Sequence, residues 1–276
     1  MWMKKDFVWA AAGIYIALGA LALAATAQNP DTLMPEQSAA KAKALIQQVI
    51  AGLGGAAYLN VRDQDCTGKL SVFGHSGELI GFSSIRDLWK FPDKHRTDYA
   101  KQDNVIDIFA GKEGWTLDRA GVHEEPEEAV ANFQEGLKRS VSYLLRYRMA
   151  HEKEEGLTFR YAGGDIIDLK PVEWVEVTDG ERRMLRIAID RNAHVPIRSS
   201  VATRDPEFHD RMEEITLYST WHSIDGVQIA FQTSRERNGQ KTYQLFLTEC
   251  KCNTGLGDEM FTRAALEKRW SEVKKK

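Results

Sequence analysis

The sequence has little that marks an enzyme, a metalloprotein or a nucleic-acid-binding protein. Its formal net charge is −3 over 276 residues, so it offers no electrostatic footprint for nucleic acid or for a strongly anionic lipid surface. Its seven histidines are scattered, and no pair has metal-ligand spacing with a matching third ligand. No segment repeats at a period of about 20 to 50 residues, which excludes a solenoid or a propeller. We therefore expect no metal, cofactor or nucleic-acid partner.

Three short motifs come close to catalytic or phosphate-binding signatures but lack an essential part. Gly74–Gly77 resembles the nucleophile turn of serine hydrolases, yet its second glycine comes one residue early and no helix pattern follows. His151-Glu152 has no second histidine at the spacing of a zinc protease. Gly52–Gly55 ends a helix, whereas a dinucleotide loop must begin one. We predict no catalytic residues, and an enzyme is the third-ranked hypothesis.

Cysteine is scarce, with only Cys66, Cys250 and Cys252. In an exported chain an odd number permits one disulfide and leaves one thiol. Residues two apart lie on the same side of a strand, so either Cys250 or Cys252 could face Cys66. We predict a disulfide from Cys66 to one of them, and the alternative is three separate buried thiols.

The N-terminus has the pattern of a secretory leader. Lys4 and Lys5 precede a mostly apolar run, and Ala25-Thr26-Ala27 provides small residues for cleavage. We expect a signal peptide at residues 1–27, followed by a flexible linker at 28–37. The alternative is an uncleaved anchor, because the apolar run is long enough to span a bilayer.

Alternating patterns in the C-terminal half predict an antiparallel meander from Arg182 to Cys252 with one apolar and one wet face. Its four strand-like runs are separated by turn residues such as Asp225-Gly226 and Asn238-Gly239. One apolar face is predicted to carry Ile215, Leu217, Ser219 and Trp221. Such a sheet must bury its apolar face against a lid or a ligand.

The rest of the chain supplies a second meander and two amphipathic helices. Apolar residues from Ala42 to Leu53 follow helical spacing and end at glycines. Strand patterns run from Tyr58 to Leu117, and a helix of about 20 residues is predicted from Val130 to Met149. Ala264–Trp270 could form a short terminal helix. The fold class is therefore α+β and mostly β.

Several turn-centred motifs resemble the periplasmic outer-membrane lipoprotein carrier and lipoprotein-sorting (LolA-like) superfamily. The segment Trp89–Arg96 resembles that family's strand ending in proline followed by a hairpin. Ile106–Trp115 is similar to its next hairpin, Ile189–Arg198 resembles its strand–turn–strand unit, and Trp221–Phe231 and Asn253–Phe261 resemble its closing strands.

The resemblance implies a single lipid-binding domain at residues 38–265, with a basic tail at 266–276. It also implies a curved, unclosed antiparallel half-barrel whose concave face is covered by helices, leaving an apolar cavity for acyl chains. One position departs from the family pattern. The residue before the strand-ending proline is commonly an arginine thought to latch the helical lid, and here it is Phe91.

The leading hypothesis is a non-enzymatic periplasmic carrier that holds the acyl chains of a lipoprotein or lipid. The competing hypothesis is an envelope interaction or sensor domain with a side-chain-filled core, in which Glu124–Glu128 and the charged segment 203–214 contact a protein partner. Candidate wall residues of the cavity are large apolar side chains on the strands and the second helix. They are Trp89, Phe91, Phe109, Trp115, Phe133, Leu137, Ile187, Leu217, Trp221, Phe231 and Leu245.

Overall fold

The structure is a computed structural model that describes residues 32–99, 105–204 and 211–273. The expected leader, most of the expected linker and part of the charged segment 203–214 lie outside these residues. None of the described helices is long and apolar enough to cross a membrane.

One antiparallel sheet of 13 strands forms the body of the protein. It is not closed, and its two edge strands are the last strand of the N-terminal half and the first strand of the C-terminal half. In spatial order the strands run β6-β5-β4-β3-β2-β1-β13-β12-β11-β10-β9-β8-β7. The N-terminal strands are β1 (Asp63–Phe73), β2 (Leu79–Lys90), β3 (Lys94–Tyr99), β4 (Val105–Ala110), β5 (Glu113–Asp118) and β6 (Gly121–Glu124). The C-terminal strands are β7 (Thr158–Ile167), β8 (Lys170–Thr178), β9 (Met184–Asp190), β10 (Pro196–Arg204), β11 (Arg211–Ile224), β12 (Val227–Arg237) and β13 (Gln240–Cys252).

The expected fold class is correct. The two predicted meanders are joined through β1 and β13, whose pairing places the start of the sheet beside its end. The open antiparallel sheet is consistent with a curved half-barrel. The structure adds β10, which was not among the four strand-like runs of the C-terminal meander. Its central Ser199 and Ser200 are both buried, and their polarity conceals the strand.

Five α-helices accompany the sheet in the part of the chain that the structure describes. They are α1 (Pro35–Gly52), α2 (Ala56–Leu59), α3 (Glu127–Lys138), α4 (Val141–Arg146) and α5 (Arg263–Val273). The helix predicted from Val130 to Met149 is in fact two helices, because Ser140 has an extended backbone and its hydroxyl accepts a hydrogen bond from the Tyr143 N–H. A serine in that position starts a new helix rather than continuing the old one.

Helix α1 fills the inner face of the C-terminal strands. Ala42, Ile46 and Val49 are fully buried in the main core, where they pack with residues such as Tyr161 and Ile187. The helix begins at Pro35, so it reaches three residues into the segment that was expected to be a flexible linker. Part of the concave face is therefore closed by side chains.

Helix α5 covers the outer face of the N-terminal strands. Leu266 is fully buried there with Ile108, Leu117 and Phe261. Helix α5 extends across residue 265, where the lipid-binding domain was expected to end, and Leu266 of the expected basic tail is buried. The outer face of the C-terminal half is not uniformly wet either, because Val172 and Trp174 are buried in a separate cluster.

Candidate functional site

A cavity of about 480 Å³ lies between the inner face of the sheet and helices α3 and α4. Its floor comes from strands β1 to β3 and from β12 and β13, and its roof comes from the segment between Asn132 and Tyr147. The lining residues are Gln64, Asp87, Trp89, Phe91, Pro92, His95, Asn132, Phe133, Gly136, Leu137, Ser140, Ser142, Tyr143, Tyr147, Thr233, Arg235, Tyr243 and Leu245.

Stacked rings form one wall of this cavity. Strand pairing places Trp89, His95 and Phe109 side by side on β2, β3 and β4. The Trp89 and His95 ring centres are 4.0 Å apart, and Phe133 of α3 lies over Phe109 at 4.8 Å. Ring contacts of this kind add to the stabilisation from burial, by about 0.5–1.5 kcal/mol for each pair.

A carboxylate orients two of these rings. The Trp89 Nε1–H donates a hydrogen bond to Asp87 Oδ2 at 3.1 Å, and His95 Nε2 lies 2.7 Å from Asp87 Oδ1. Both oxygens of Asp87 are thus engaged by neighbouring rings. We regard this group as positioning rather than catalytic, and no cluster of three metal-ligating side chains occurs in the described ranges.

Three tyrosines contribute hydroxyl groups to the lining. Burial raises the pKa of Tyr143, Tyr147 and Tyr243 above the ordinary value. All three are therefore neutral at physiological pH, so they present hydrogen-bond donors without adding negative charge to an apolar cavity.

Arg146 holds helix α4 against α2, the start of β1 and the turn after β2. Its guanidinium carbon lies 4.1 Å from the centre of the Tyr58 ring and 4.5 Å from that of Phe91. Its Nη1 donates a hydrogen bond to the Val61 carbonyl oxygen at 3.2 Å. Phe91, the residue before Pro92, is thus held by an arginine of α4.

A buried ion network fixes the far end of the roof. Arg148 is 5% exposed and donates to the Lys138 carbonyl, to Glu155 and, at 2.7 Å, to Asp179 Oδ2. Burial opposes ionisation of Asp179, but hydrogen bonds from the Arg183 N–H and from both guanidinium groups outweigh it and lower the pKa of this carboxyl. The roof is therefore joined to the hairpin between β8 and β9 by charge-assisted hydrogen bonds.

Five of the eleven predicted wall residues border the cavity: Trp89, Phe91, Phe133, Leu137 and Leu245. Phe109 supports the aromatic wall from behind Phe133. Ile187, Trp221 and Phe231 pack in or against the main core and are not among the residues that line the cavity. Trp115 and Leu217 lie on the other face of the sheet.

Trp115 packs beneath α5 on the outer face. It pairs with Ile108, and both contact the cluster that contains Leu266. Its assignment to the concave wall is therefore wrong in position. Both faces of β4 and β5 are covered by helices, so an aromatic residue has an apolar environment on either side.

Leu217 also faces outward. Its neighbour Tyr218 packs against the main core, and adjacent strand residues point to opposite faces. The predicted common face of Leu217 and Trp221 fails at Thr220, whose φ of 55° interrupts the alternation, so that Trp221 packs on the side of Tyr218.

The structure contains a disulfide between Cys66 and Cys250, which are direct partners on β1 and β13. Cys252 is a half-buried free thiol. The disulfide joins the two strands on which the N-terminal and C-terminal halves of the sheet meet.

The polar residues of the cavity lining, above all Arg235 and Tyr243, were not predicted from the sequence. Arg235 continues the inward alternation of Ile229, Phe231 and Thr233 along β12. Extending that period by one more step would have identified it.

A second hollow of about 620 Å³ lies outside the sheet beside α5. Its lining is rich in charged and hydroxyl side chains, and its arginines are paired, since Arg86 bonds to Asp65 and Arg96 to Asp98. This hollow is therefore a poor match for an apolar ligand.

Neither protein-family models nor curated proteins match this chain. Solved structures of similar fold include a DUF1329 family protein from Desulfovibrio piger, with 13% identity, a TM-score of 0.57, and 82% of this chain and 98% of that one covered. A putative outer membrane lipoprotein-sorting protein domain from Vibrio parahaemolyticus has 12% identity and a TM-score of 0.56, covering 83% and 99%. A LolA superfamily protein from Nitrosomonas europaea has 10% identity and a TM-score of 0.54, covering 82% and 99%. The chain has a LolA-like fold.

Proposed function

We propose that this protein is a carrier or receptor that holds the acyl chains of a lipid or lipoprotein in the cavity beneath α3 and α4. The observation that carries the proposal is the cavity of about 480 Å³ with a stacked aromatic wall. Pockets that bind small ligands occupy about 300–1,000 Å³ and are mostly apolar with a few polar groups.

An acyl chain suits this site because it needs no polar chemistry within the cavity. Each methylene removed from water contributes roughly 0.8 kcal/mol. An acyl chain of about ten methylenes therefore contributes about 8 kcal/mol, which is enough for micromolar binding. Trp89, Phe133 and Leu137 provide apolar surface for it. We propose binding rather than catalysis, with the ring-bonded Asp87 in a structural role.

We place this activity in the periplasm, on the basis of the leader pattern at residues 1–27. In the proposed cycle, α3 and α4 move to admit a ligand. Arg146 would then have to leave its two aromatic partners, or the chain would enter past Gly136 at the exposed part of the roof.

Native mass spectrometry of the protein without residues 1–27 tests the proposal. We expect a co-purified or added acyl lipid to bind at one equivalent. Failure to bind any of a phospholipid, a free fatty acid and an acylated peptide would contradict it.

A second candidate is docking to another envelope protein. It is favoured by exposed apolar side chains at the hairpin between β1 and β2, where Leu79 is 58% and Ile80 is 62% exposed. Recovery of a stoichiometric protein partner, without lipid and only while Leu79 and Ile80 are intact, would support it over the carrier. Equal recovery with the double variant Leu79→Ser, Ile80→Ser would contradict it.

A further inference from the structure

The charged groups that line the cavity differ in how they are satisfied. Asp87 has both oxygens bonded to Trp89 and His95. The Arg235 guanidinium has no carboxylate partner and no hydrogen bond to any residue within 32–99, 105–204 and 211–273. Its carbon lies 5.8 Å from the centre of the Tyr243 ring. The guanidinium therefore has N–H donors available.

The cavity lining has a charged, exposed position at Arg235 and an aromatic wall elsewhere. Arg235 stands on β12 opposite Tyr243, while the aromatic wall begins on β2. The neighbouring Tyr243 hydroxyl is neutral, because burial raises its pKa, so it can donate a hydrogen bond beside the guanidinium. Thr233 and Gln64 add further uncharged polar groups to the lining.

Building on the proposed function, we propose that Arg235 binds an anionic head group, a carboxylate or a phosphate, of an amphiphile whose chain lies in the cavity. A guanidinium forms two parallel hydrogen bonds with either group, which a lysine does not. The arrangement thus selects acidic amphiphiles over neutral ones of equal chain length.

Binding of dodecanoate, dodecyl phosphate and dodecanol to the purified, delipidated protein tests this inference. We expect both anions to bind about tenfold or more tightly than the alcohol, since hydrogen bonds to charged groups are the strong ones. Arg235→Gln should lower the affinity for both anions by about the same factor and leave that for dodecanol unchanged, and Arg235→Lys should be intermediate.

Arg237→Gln is the matched control, because Arg237 lies two residues further along the same strand but is paired with Glu214 at 3.0 Å. It should leave all three affinities unchanged. Added salt should weaken dodecanoate binding to the wild type more than to Arg235→Gln, because screening acts on the charge pair.

The outcomes separate the two proposals. Equal affinity of the wild type for dodecanoate and dodecanol, or no effect of Arg235→Gln on dodecanoate, overturns the role of Arg235 while leaving the cavity as a lipid site. Absence of binding by all three compounds overturns the proposed function itself. A preference for only one of the anions would support the role of Arg235 and identify the head group as carboxylate or phosphate.

Discussion

Gly136 offers a way to close the cavity without disturbing the core. It lies in α3 on the cavity lining, and a Cβ atom built there meets nothing within 4 Å. The substitution Gly136→Phe can therefore place a ring in the opening without a backbone clash. If the ring excludes roughly four methylenes at about 0.8 kcal/mol each, binding weakens by about 3 kcal/mol, or more than a hundredfold.

The same substitution should not destabilise the protein. Glycine within a helix costs about 1 kcal/mol relative to alanine, so Gly136→Ala should raise the free energy of unfolding by about 0.5–1 kcal/mol, and Gly136→Phe should not lower it. Isothermal titration with dodecanoate measures the affinity, and urea unfolding measures the stability.

Ala131→Phe is the control, since it adds the same ring to an exposed position of α3 that does not line the cavity. It should bind dodecanoate as the wild type does. The reasoning is refuted if Gly136→Phe folds and keeps the affinity of the wild type, or if Ala131→Phe loses it to the same extent.

The remaining predictions concern the supports of the roof and the sheet. Arg148→Met removes one of the two guanidinium partners of the 2%-exposed carboxylate of Asp179, while Arg183 remains, and should cost about 1.5–3 kcal/mol in urea unfolding; a loss under 1 kcal/mol would contradict its role. Because the folded pKa of Asp179 lies below its ordinary 3.8, its contribution is complete above that value and is lost as the pH falls through the folded pKa; Asp179→Asn should flatten the acid limb of a stability-against-pH curve. Arg146→Gln should lower the free energy of local opening of α4 by about 1–2 kcal/mol and so speed amide hydrogen exchange there. Unchanged exchange would argue against Arg146 as the residue that holds α4. Cys66→Ala with Cys250→Ala removes a crosslink over 184 residues and should cost about 2–5 kcal/mol, with no change expected on adding a reductant to the double variant.

The strands of the C-terminal half were predictable because apolar and polar residues alternate along them with a period of two residues. The turn residues Asp225-Gly226 and Asn238-Gly239 fall between the strands β11, β12 and β13, as predicted. The period fails where the backbone departs from it. The positive φ of Thr220 places Trp221 on the same side of the sheet as Tyr218. A threonine is not a residue type that predicts a positive φ, so the sequence does not indicate this change.

Alternation also cannot tell which face is concave when both faces are covered. In β4 the side chains of Ile106 and Ile108 face α5, whereas Phe109 faces α3. All three are apolar, so the sequence gives no preference for the position of Trp115 on the neighbouring strand. That side is set by where α5 docks, which is a contact between residues far apart in the sequence.

The cavity itself was less predictable than the fold. Its aromatic wall depends on the pairing of Trp89 with His95 and on the placement of Phe133 above Phe109. Its boundary depends on how far α1 fills the inner face, which is decided by packing of Ile46 and Val49 with the C-terminal strands. Its charge depends on Arg235. Only the structure shows that this arginine has no ion-pair partner among the described residues.

The most direct test of the account is a crystal structure of the protein bound to a fatty acid brominated along its chain. We predict anomalous bromine density within the cavity that Trp89, Phe133 and Leu245 line. Bromine found only outside the sheet, or a cavity that stays closed to the chain at saturating ligand, would contradict it.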